Sequence, residues 1–196
     1  MSVIYYLLGK SSTGKDTIFS RLMADKKLNL KTLTGYTTRP IRKNEVDGRE
    51  YHFVDEKTMR ELESAGKIIE IRSYPTIHGI WYYFTADDGH IGEEEGEYLM
   101  IGTLESYMKL REFFGEVRVR PIYIEVDDAL RLERAIQREK IQKKPALAEV
   151  CRRFLADEED FSEEKIRQAD IVKRYENKDI DACAEEIARD ILLYKR

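Results

Sequence analysis

Residues 9–17, with the sequence GKSSTGKDT, constrain this chain more than any other segment. They follow the apolar run 3–8, which is long enough for one buried strand. They precede residues 18–23, whose apolar side chains recur at helical spacing. A glycine-bounded loop between a strand and a helix is the setting of a phosphate-binding P-loop. Its backbone N–H groups, the amino end of the helix and the Lys15 ammonium would all face an anion.

The end of this loop departs from the usual motif. A hydroxyl that helps to hold Mg²⁺ usually follows the lysine, whereas here Asp16 follows Lys15 and Thr17 comes one place later. Because a carboxylate repels polyphosphate unless a cation intervenes, we expect Asp16 and Thr17 to act on Mg²⁺, directly or through water. The residues expected to bind ATP are Gly9, Lys10, Ser11, Ser12, Thr13, Gly14, Lys15, Asp16 and Thr17. The competing interpretation is a glycine-rich turn that carries an incidental lysine.

Composition limits the classes of function. The 196 residues are 42% hydrophobic, which is sufficient for the core of a single domain. A net charge of -4 argues against a general nucleic-acid or membrane-surface binder. The two cysteines lack metal-ligand spacing, and no apolar run resembles a secretory signal or a membrane span. We therefore expect a cytoplasmic protein, a monomer or homodimer, with small molecules rather than nucleic acid or membrane as partners.

Strand-like and helix-like segments alternate outside residues 35–96. Apolar runs indicate strands at 30–34, 98–102 and 121–126, with a last short strand beginning at 171–172. Apolar periodicity indicates helices at 104–114, 129–138 and 146–161, followed by a terminal helix. This alternation predicts an α/β fold whose parallel sheet is covered by helices on both faces. Ligands of such sheets lie at the carboxyl ends of the strands, where residues 9–17 are expected.

Residues 35–96 look like a small, aromatic-rich, β-containing insertion, with strands near 67–72 and 80–85 joined by a turn at 75–79. Arg39 and Arg42 could hold a phosphate, because guanidinium groups match phosphate oxygens bidentately. Tyr51 and Tyr82 could add phenolic donors. The alternative for the two arginines is a solvated loop that makes surface ion pairs.

Glu70 lies in an otherwise apolar strand. A carboxylate buried there is costly unless it accepts hydrogen bonds. The adjacent ring N–H and amino group of guanine would satisfy it. The alternative places Glu70 on the solvent face of the strand.

Two sequence patterns then resemble the GMP-binding segment of guanylate kinases. They are Thr-Thr-Arg-Pro-x-Arg at 37–42 and Glu-Val-Asp-Gly-x-x-Tyr-x-Phe-Val at 45–54. The spacing to the P-loop, to Glu70 and to the His-Gly-x-x-Tyr pattern at 78–82 also matches. The resemblance implies that Arg39, Arg42, Tyr51 and Tyr82 hold the phosphate of the acceptor. It also implies that Glu70 recognises the base of the acceptor.

The resemblance further implies a P-loop kinase fold, with an acceptor-binding insertion and a helical lid. The core would comprise 1–34, 97–137 and 162–196, the insertion 35–96 and the lid 138–161. Arg138 and Arg153 match the lid arginines that close over the transferring phosphate, whereas Arg131, Arg134 and Arg152 are expected to pair with glutamates. The segment 177–180 resembles an Asn-Asp-Asp-Leu near adenine. The implied reaction is transfer of phosphate from ATP, with Mg²⁺, to GMP.

Several departures from the family pattern fall inside the expected acceptor site. Gly35 replaces a serine that contacts guanine, Phe84 stands where a second hydroxyl is expected, and Tyr83 replaces a glycine. The strand end at 101–103 lacks an Asp-x-Asp. Thr103, in place of that motif, and Gly35, in place of the serine, would then face the acceptor. Fewer polar partners should weaken selectivity for guanine.

Two alternative functions therefore stand beside a guanylate kinase. Gly-Lys-Asp in the P-loop and the missing Asp-x-Asp also resemble ribose-bisphosphate kinases, which act on a phosphorylated sugar. A non-catalytic guanylate kinase-like binding module is the second alternative. Such modules usually lose the P-loop lysine, and retention of Lys15 favours an enzyme.

Overall fold

The structure is a computed structural model that describes residues 2–43, 45–76, 79–87, 89 and 96–195. Five parallel strands form the central sheet: β1 Val3–Leu8, β2 Leu30–Thr32, β7 Glu97–Ile101, β8 Val119–Glu125 and β9 Arg174–Glu176. Their order is β2-β7-β1-β8-β9. The central strand β1 is buried from Ile4 to Leu8, as an apolar run between two parallel neighbours requires.

Helices cover both faces of this sheet. They are α1 Lys15–Ala24, α3 Leu104–Phe114, α4 Asp128–Lys140, α5 Leu147–Asp160, α6 Glu163–Gln168 and α7 Ile180–Tyr194. On one face, Ile18 of α1 and Ile187 of α7 belong to one core cluster. On the other, Leu104 and Leu110 of α3 belong to a second cluster. The predicted α/β architecture, with helices on both faces of a parallel sheet, is confirmed.

The chain leaves the central sheet after β2 and returns to it at β7. Between them it forms β3 Tyr36–Thr37, β4 His52–Phe53, α2 Glu56–Ser64, β5 Ile68–Thr76 and β6 Gly79–Ala86. The second sheet has the order β4-β3-β6-β5, and Met59 of α2 packs on Phe84 and Ala86 of β6. The predicted turn at 75–79 lies partly outside the described residues, and His78 lies wholly outside them.

The last strand begins later than the sequence indicated. Ile171 is buried, but its amide donates to the carbonyl of Ile166 (3.2 Å) and so belongs to the turn that ends α6. Val172 is 88% exposed, and pairing with β8 starts at Arg174. The apolar pair at 171–172 thus marked the end of a short helix, stabilised by its Ser162 cap, rather than a strand. The boundaries of the insertion and lid remain predictions.

Candidate active site between two anion-binding cavities

Residues 9–17 run from the end of β1 into the first turn of α1, and their backbone passes close to the side chain of Asn177. Gly14 has a positive φ of 87°, and a Cβ added there would lie 2.6 Å from Nδ2 of Asn177. That amide is buried and donates to the carbonyl of Thr13 at 2.8 Å. Glycine is therefore required at position 14, and Asn177 supports the loop from behind. The segment 177–180, which resembles a family segment near adenine, therefore begins in contact with this loop.

Lys15 lies half-buried at the start of α1 and folds back over the loop. Its Nζ donates to the carbonyls of Gly9 (2.6 Å) and Lys10 (2.7 Å). Burial lowers the pKa of this amine to about 8. A bound polyphosphate would place negative charge next to this ammonium and so stabilise its charged form.

A small cavity of about 180 Å³ opens at the amino end of α1. It is lined by Ser12, Gly14, Lys15, Asp16, Thr17, Arg134 and Arg138. Arg138 donates to Oγ of Ser12 (3.3 Å), and Arg134 donates to the carbonyl of Asn177 (3.3 Å). Arg134 was expected to pair with glutamate, but it lines the cavity, so sequence reasoning missed it. Its signal was its spacing of four from Arg138, which puts both on one face of α4.

Helix α5 is attached to the same loop by a carboxylate. Asp157 accepts from the backbone N–H of Ser11 (2.9 Å) and from its hydroxyl (3.2 Å). Arg131 is 2% exposed at its side chain and bonds Asp157 (3.0 Å) and Glu158 (2.6 Å). Arg153 of α5 donates to Oγ of Ser11 at 3.4 Å. Arg152, in contrast, pairs with exposed Glu149, as expected.

A larger cavity of about 920 Å³ lies between the central sheet and the insertion. Arg39 and Arg42 both line it. Arg39 is buried and donates to both carboxylate oxygens of Glu45, at 2.7 and 2.6 Å. This pairing holds the pKa of the Glu45 carboxyl down at about 2. Since Glu45 fixes the guanidinium plane and Arg42 is exposed, one end of the cavity is a suitable site for a phosphate.

Tyr51 and Tyr83 complete this end of the cavity. Their ring centroids are 5.5 Å apart, and Tyr51 also lies 5.4 Å from the guanidinium of Arg39. Tyr82 does not line the cavity as the sequence predicted, because its ring packs with the Met59 cluster on the opposite face of β6. Successive strand residues face opposite ways, so an offset of one residue exchanges Tyr82 for Tyr83.

The same offset changes the assignment of the second hydroxyl. Phe84 packs against Met59 and Tyr36, and it also lines the cavity. The next residue, Thr85, lines the cavity as well and donates to Oε1 of Glu70 at 2.9 Å. The sequence therefore does contain a hydroxyl near the expected place. The alternation of Tyr83 and Thr85 along β6 was the signal that could have identified it.

Glu70 is buried rather than on a solvent face, and it lies behind the far end of the cavity, which Arg72, Thr85 and Thr103 line. Arg72 donates to its two oxygens at 2.9 and 3.3 Å and to Oγ1 of Thr103 at 3.2 Å. Thr103 also caps α3. Gly35 lines the cavity without a polar side chain. Arg72 was not anticipated, although its place two residues after Glu70 puts both on one strand face.

Asp16 lines both cavities and is exposed. In the described part of the chain no three His, Cys, Asp or Glu residues form a metal-binding group. A single carboxylate, with the nearby Thr17 hydroxyl, nevertheless suits Mg²⁺. This ion usually takes one or two protein carboxylates, with phosphates and water completing its shell. The geometry thus allows two anionic ligands to meet at the amino end of α1.

Comparison with known proteins identifies the relatives of the chain. A family model described as Guanylate kinase matches residues 2–86. Over 194 residues the chain is 25% identical to the guanylate kinase of Porphyromonas gingivalis (strain ATCC BAA-308 / W83), with 97% of each protein covered. Identity reaches 44% over 73 residues with that of Aromatoleum aromaticum, although this match spans 37% of the chain and 33% of the relative.

The fold extends the similarity beyond the N-terminal part. The crystal structure of guanylate kinase from Anaplasma phagocytophilum matches with a TM-score of 0.63 at 22% identity, covering 98% of this chain and 85% of that one. None of the helices within the described ranges is long and apolar enough to cross a membrane. The family match covers the phosphate-binding loop and most of the insertion, and the fold match covers nearly the whole chain. Residues 2–86 are therefore similar in sequence to guanylate kinases, and nearly the whole chain shares the fold of one.

Proposed function

We propose that this protein transfers phosphate from ATP to GMP, giving ADP and GDP. The observation that carries the proposal is the junction of two anion-binding cavities at Asp16. One is formed by the loop, Lys15 and Arg138, and the other contains Arg39 and Arg42. The comparisons favour this activity over a sugar-phosphate kinase and over a binding module.

The acceptor side positions a group that is already a nucleophile. Arg42, Tyr51 and Tyr83 would hold the phosphate of GMP, with Arg39 fixed behind them by Glu45. A phosphate monoester is ionised at neutral pH, so its oxygen requires no general base. Catalysis then depends on alignment and charge neutralisation, as is general for phosphoryl transfer.

The donor side neutralises the transferring group. Residues 9–17 would surround the phosphates of ATP with backbone N–H groups, and Lys15 would exchange its bonds to the carbonyls of Gly9 and Lys10 for phosphate oxygens. Asp16 and Thr17 would hold Mg²⁺, which supplies positive charge between the outer phosphates. Arg138 and Arg153 already contact the loop serines. Small shifts of the lid would bring them to the phosphates and exclude water.

We also propose that the enzyme acts in the cytoplasm, as a monomer or homodimer, on small-molecule substrates. Cys151 and Cys183 are free thiols, which agrees with a reducing compartment.

The proposal is tested by measuring ADP release from ATP and Mg²⁺ with a panel of acceptors: GMP, other nucleoside monophosphates and ribose bisphosphate. We expect turnover with GMP and its loss by about three orders of magnitude or more in Lys15→Ala, because the lysine neutralises the transferring group. Lys26→Ala, on the polar connector after α1, is the matched control and should retain activity. Turnover with the sugar bisphosphate alone would refute the GMP proposal. Unchanged turnover in Lys15→Ala would refute the mechanism.

A further inference from the structure

At the far end of the larger cavity, Arg72 lines the wall and is paired with the buried carboxylate of Glu70. The side chains of Glu70 and Arg72 are 3% and 16% exposed, and they are joined by two hydrogen bonds. Thr103 holds the far side of the guanidinium at 3.2 Å. The pair is therefore fixed before any acceptor binds.

The hydrogen-bonding capacity of Glu70 is largely used within the protein. A carboxylate has about four acceptor sites, two on each oxygen. Oε1 accepts from Arg72 and from Thr85, whereas Oε2 accepts from Arg72 alone. Bidentate recognition of guanine through its ring N–H and 2-amino group needs a site on each oxygen. While the pair persists, only Oε2 keeps an unused acceptor site, and Glu70 is not among the residues that line the cavity.

Arg72 supplies what Glu70 cannot. Three of its N–H groups bond Glu70 and Thr103, and the guanidinium also lines the cavity. Its two remaining N–H groups can donate to a carbonyl oxygen of the base. The 6-oxo group of a purine is such an acceptor.

We propose that Arg72 is a specificity-determining residue that makes the site recognise the 6-oxo group of the purine, with little contribution from the 2-amino group. The inference rests on the proposed function and concerns the acceptor site of the same reaction. It follows that inosine monophosphate, which lacks the 2-amino group, is accepted nearly as well as GMP.

The test is kcat/KM for GMP and for inosine monophosphate, measured on the wild-type protein and on Arg72→Met. We expect wild-type values within about tenfold of each other, whereas a site that pairs the amino group with a carboxylate discriminates by about 10⁴. Arg72→Met keeps most of the side-chain volume, opens the wall in front of Glu70 and leaves an unused acceptor site on each of its oxygens, with Thr85 still on Oε1. The preference for GMP should then rise by roughly 10- to 100-fold, the value of a hydrogen bond to a charged group.

Controls separate this effect from a general loss of charge. Arg49→Ala removes another guanidinium from the same cavity and should leave the ratio of the two kcat/KM values unchanged. Glu70→Gln combined with Arg72→Met should abolish the gain in GMP preference, and it avoids an unpaired buried carboxylate if the single variant folds poorly.

The outcomes distinguish the inference from the function. A wild-type preference for GMP above about 1,000-fold, as expected when a polar group is left unpaired, would overturn the role of Arg72 and leave the kinase assignment intact. An unchanged ratio in Arg72→Met would do the same. No ADP release with either nucleotide would overturn both proposals.

Discussion

Arg131 connects the lid to the phosphate-binding loop through a buried ion cluster, and its replacement should be costly. Its side chain is 2% exposed and bonds Asp128 (3.0 Å), Asp157 (3.0 Å) and Glu158 (2.6 Å). The ring of Phe154 lies 4.1 Å from its guanidinium carbon. Arg131→Met would leave Asp157 without its cation, whereas Lys10 would still contact Asp128 (3.4 Å) and Glu158 (2.7 Å).

The magnitude follows from the difference in exposure of the partners. Removing one partner of a fully buried pair costs about 3–5 kcal/mol. Because Asp128 and Glu158 are 49% and 40% exposed, water can solvate them. We therefore expect about 3 kcal/mol, or roughly 6–12 °C in Tm for a chain of this size.

The matched control lies on the neighbouring helix α5. Arg152 also pairs with a glutamate, but the two side chains are 67% and 50% exposed. Arg152→Met should therefore cost under about 0.5 kcal/mol. Chemical unfolding followed by circular dichroism, together with thermal melts, measures both variants. Equal losses of stability, or no loss for Arg131→Met, would refute the view that this cluster anchors the lid.

Three further predictions concern the two cavities. Lys15 has a pKa of about 8, and bound ATP should raise that pKa, so ATP binding should take up a proton above pH 8 and weaken as the pH rises from 8 to about 10. Calorimetry of ATP binding in buffers of different ionisation enthalpy measures this proton uptake. Identical binding heats in all buffers would contradict the prediction. Tyr83→Phe should raise KM for GMP by about tenfold through a lost hydrogen bond, while Tyr82→Phe, on the opposite strand face, should not; equal effects would restore Tyr82 as the phosphate ligand. Asp16→Asn should raise the Mg²⁺ concentration for half-maximal rate by about tenfold or more, as a magnesium titration would reveal, and an unchanged titration would exclude Asp16 as a ligand.

Local patterns predicted those parts of the protein that depend on local physics. The apolar run before Gly9 and the helical periodicity after Lys15 predicted β1, the loop and α1. The helix at 104–114 was predicted with its observed limits, because Thr103 caps it and Gly115 ends it.

Long-range pairing produced the errors. The faces of β6 depend on its register with β5, where a shift between Ile68 and Glu70 sets Thr85 opposite Glu70. The alternation along β6 places Tyr83 and Thr85 on one face, but only the register with β5 shows that this face meets the cavity, so Tyr82 was assigned to the wrong face. The Glu70–Arg72 pair lies at a cavity that exists only once the two sheets have assembled, so no local sequence pattern indicated it. The buried position of Arg131 likewise depends on the packing of α4 against α5.

The common wall at Asp16 couples the two substrates to one another. With both pockets vacant, its negative charge opposes the approach of either phosphate. Once Mg²⁺ accompanies ATP, that repulsion is removed for GMP as well, and GMP should bind more tightly. Thermodynamic reciprocity then requires GMP to tighten ATP by the same factor, so this single carboxylate makes substrate association synergistic in whichever order the two nucleotides arrive.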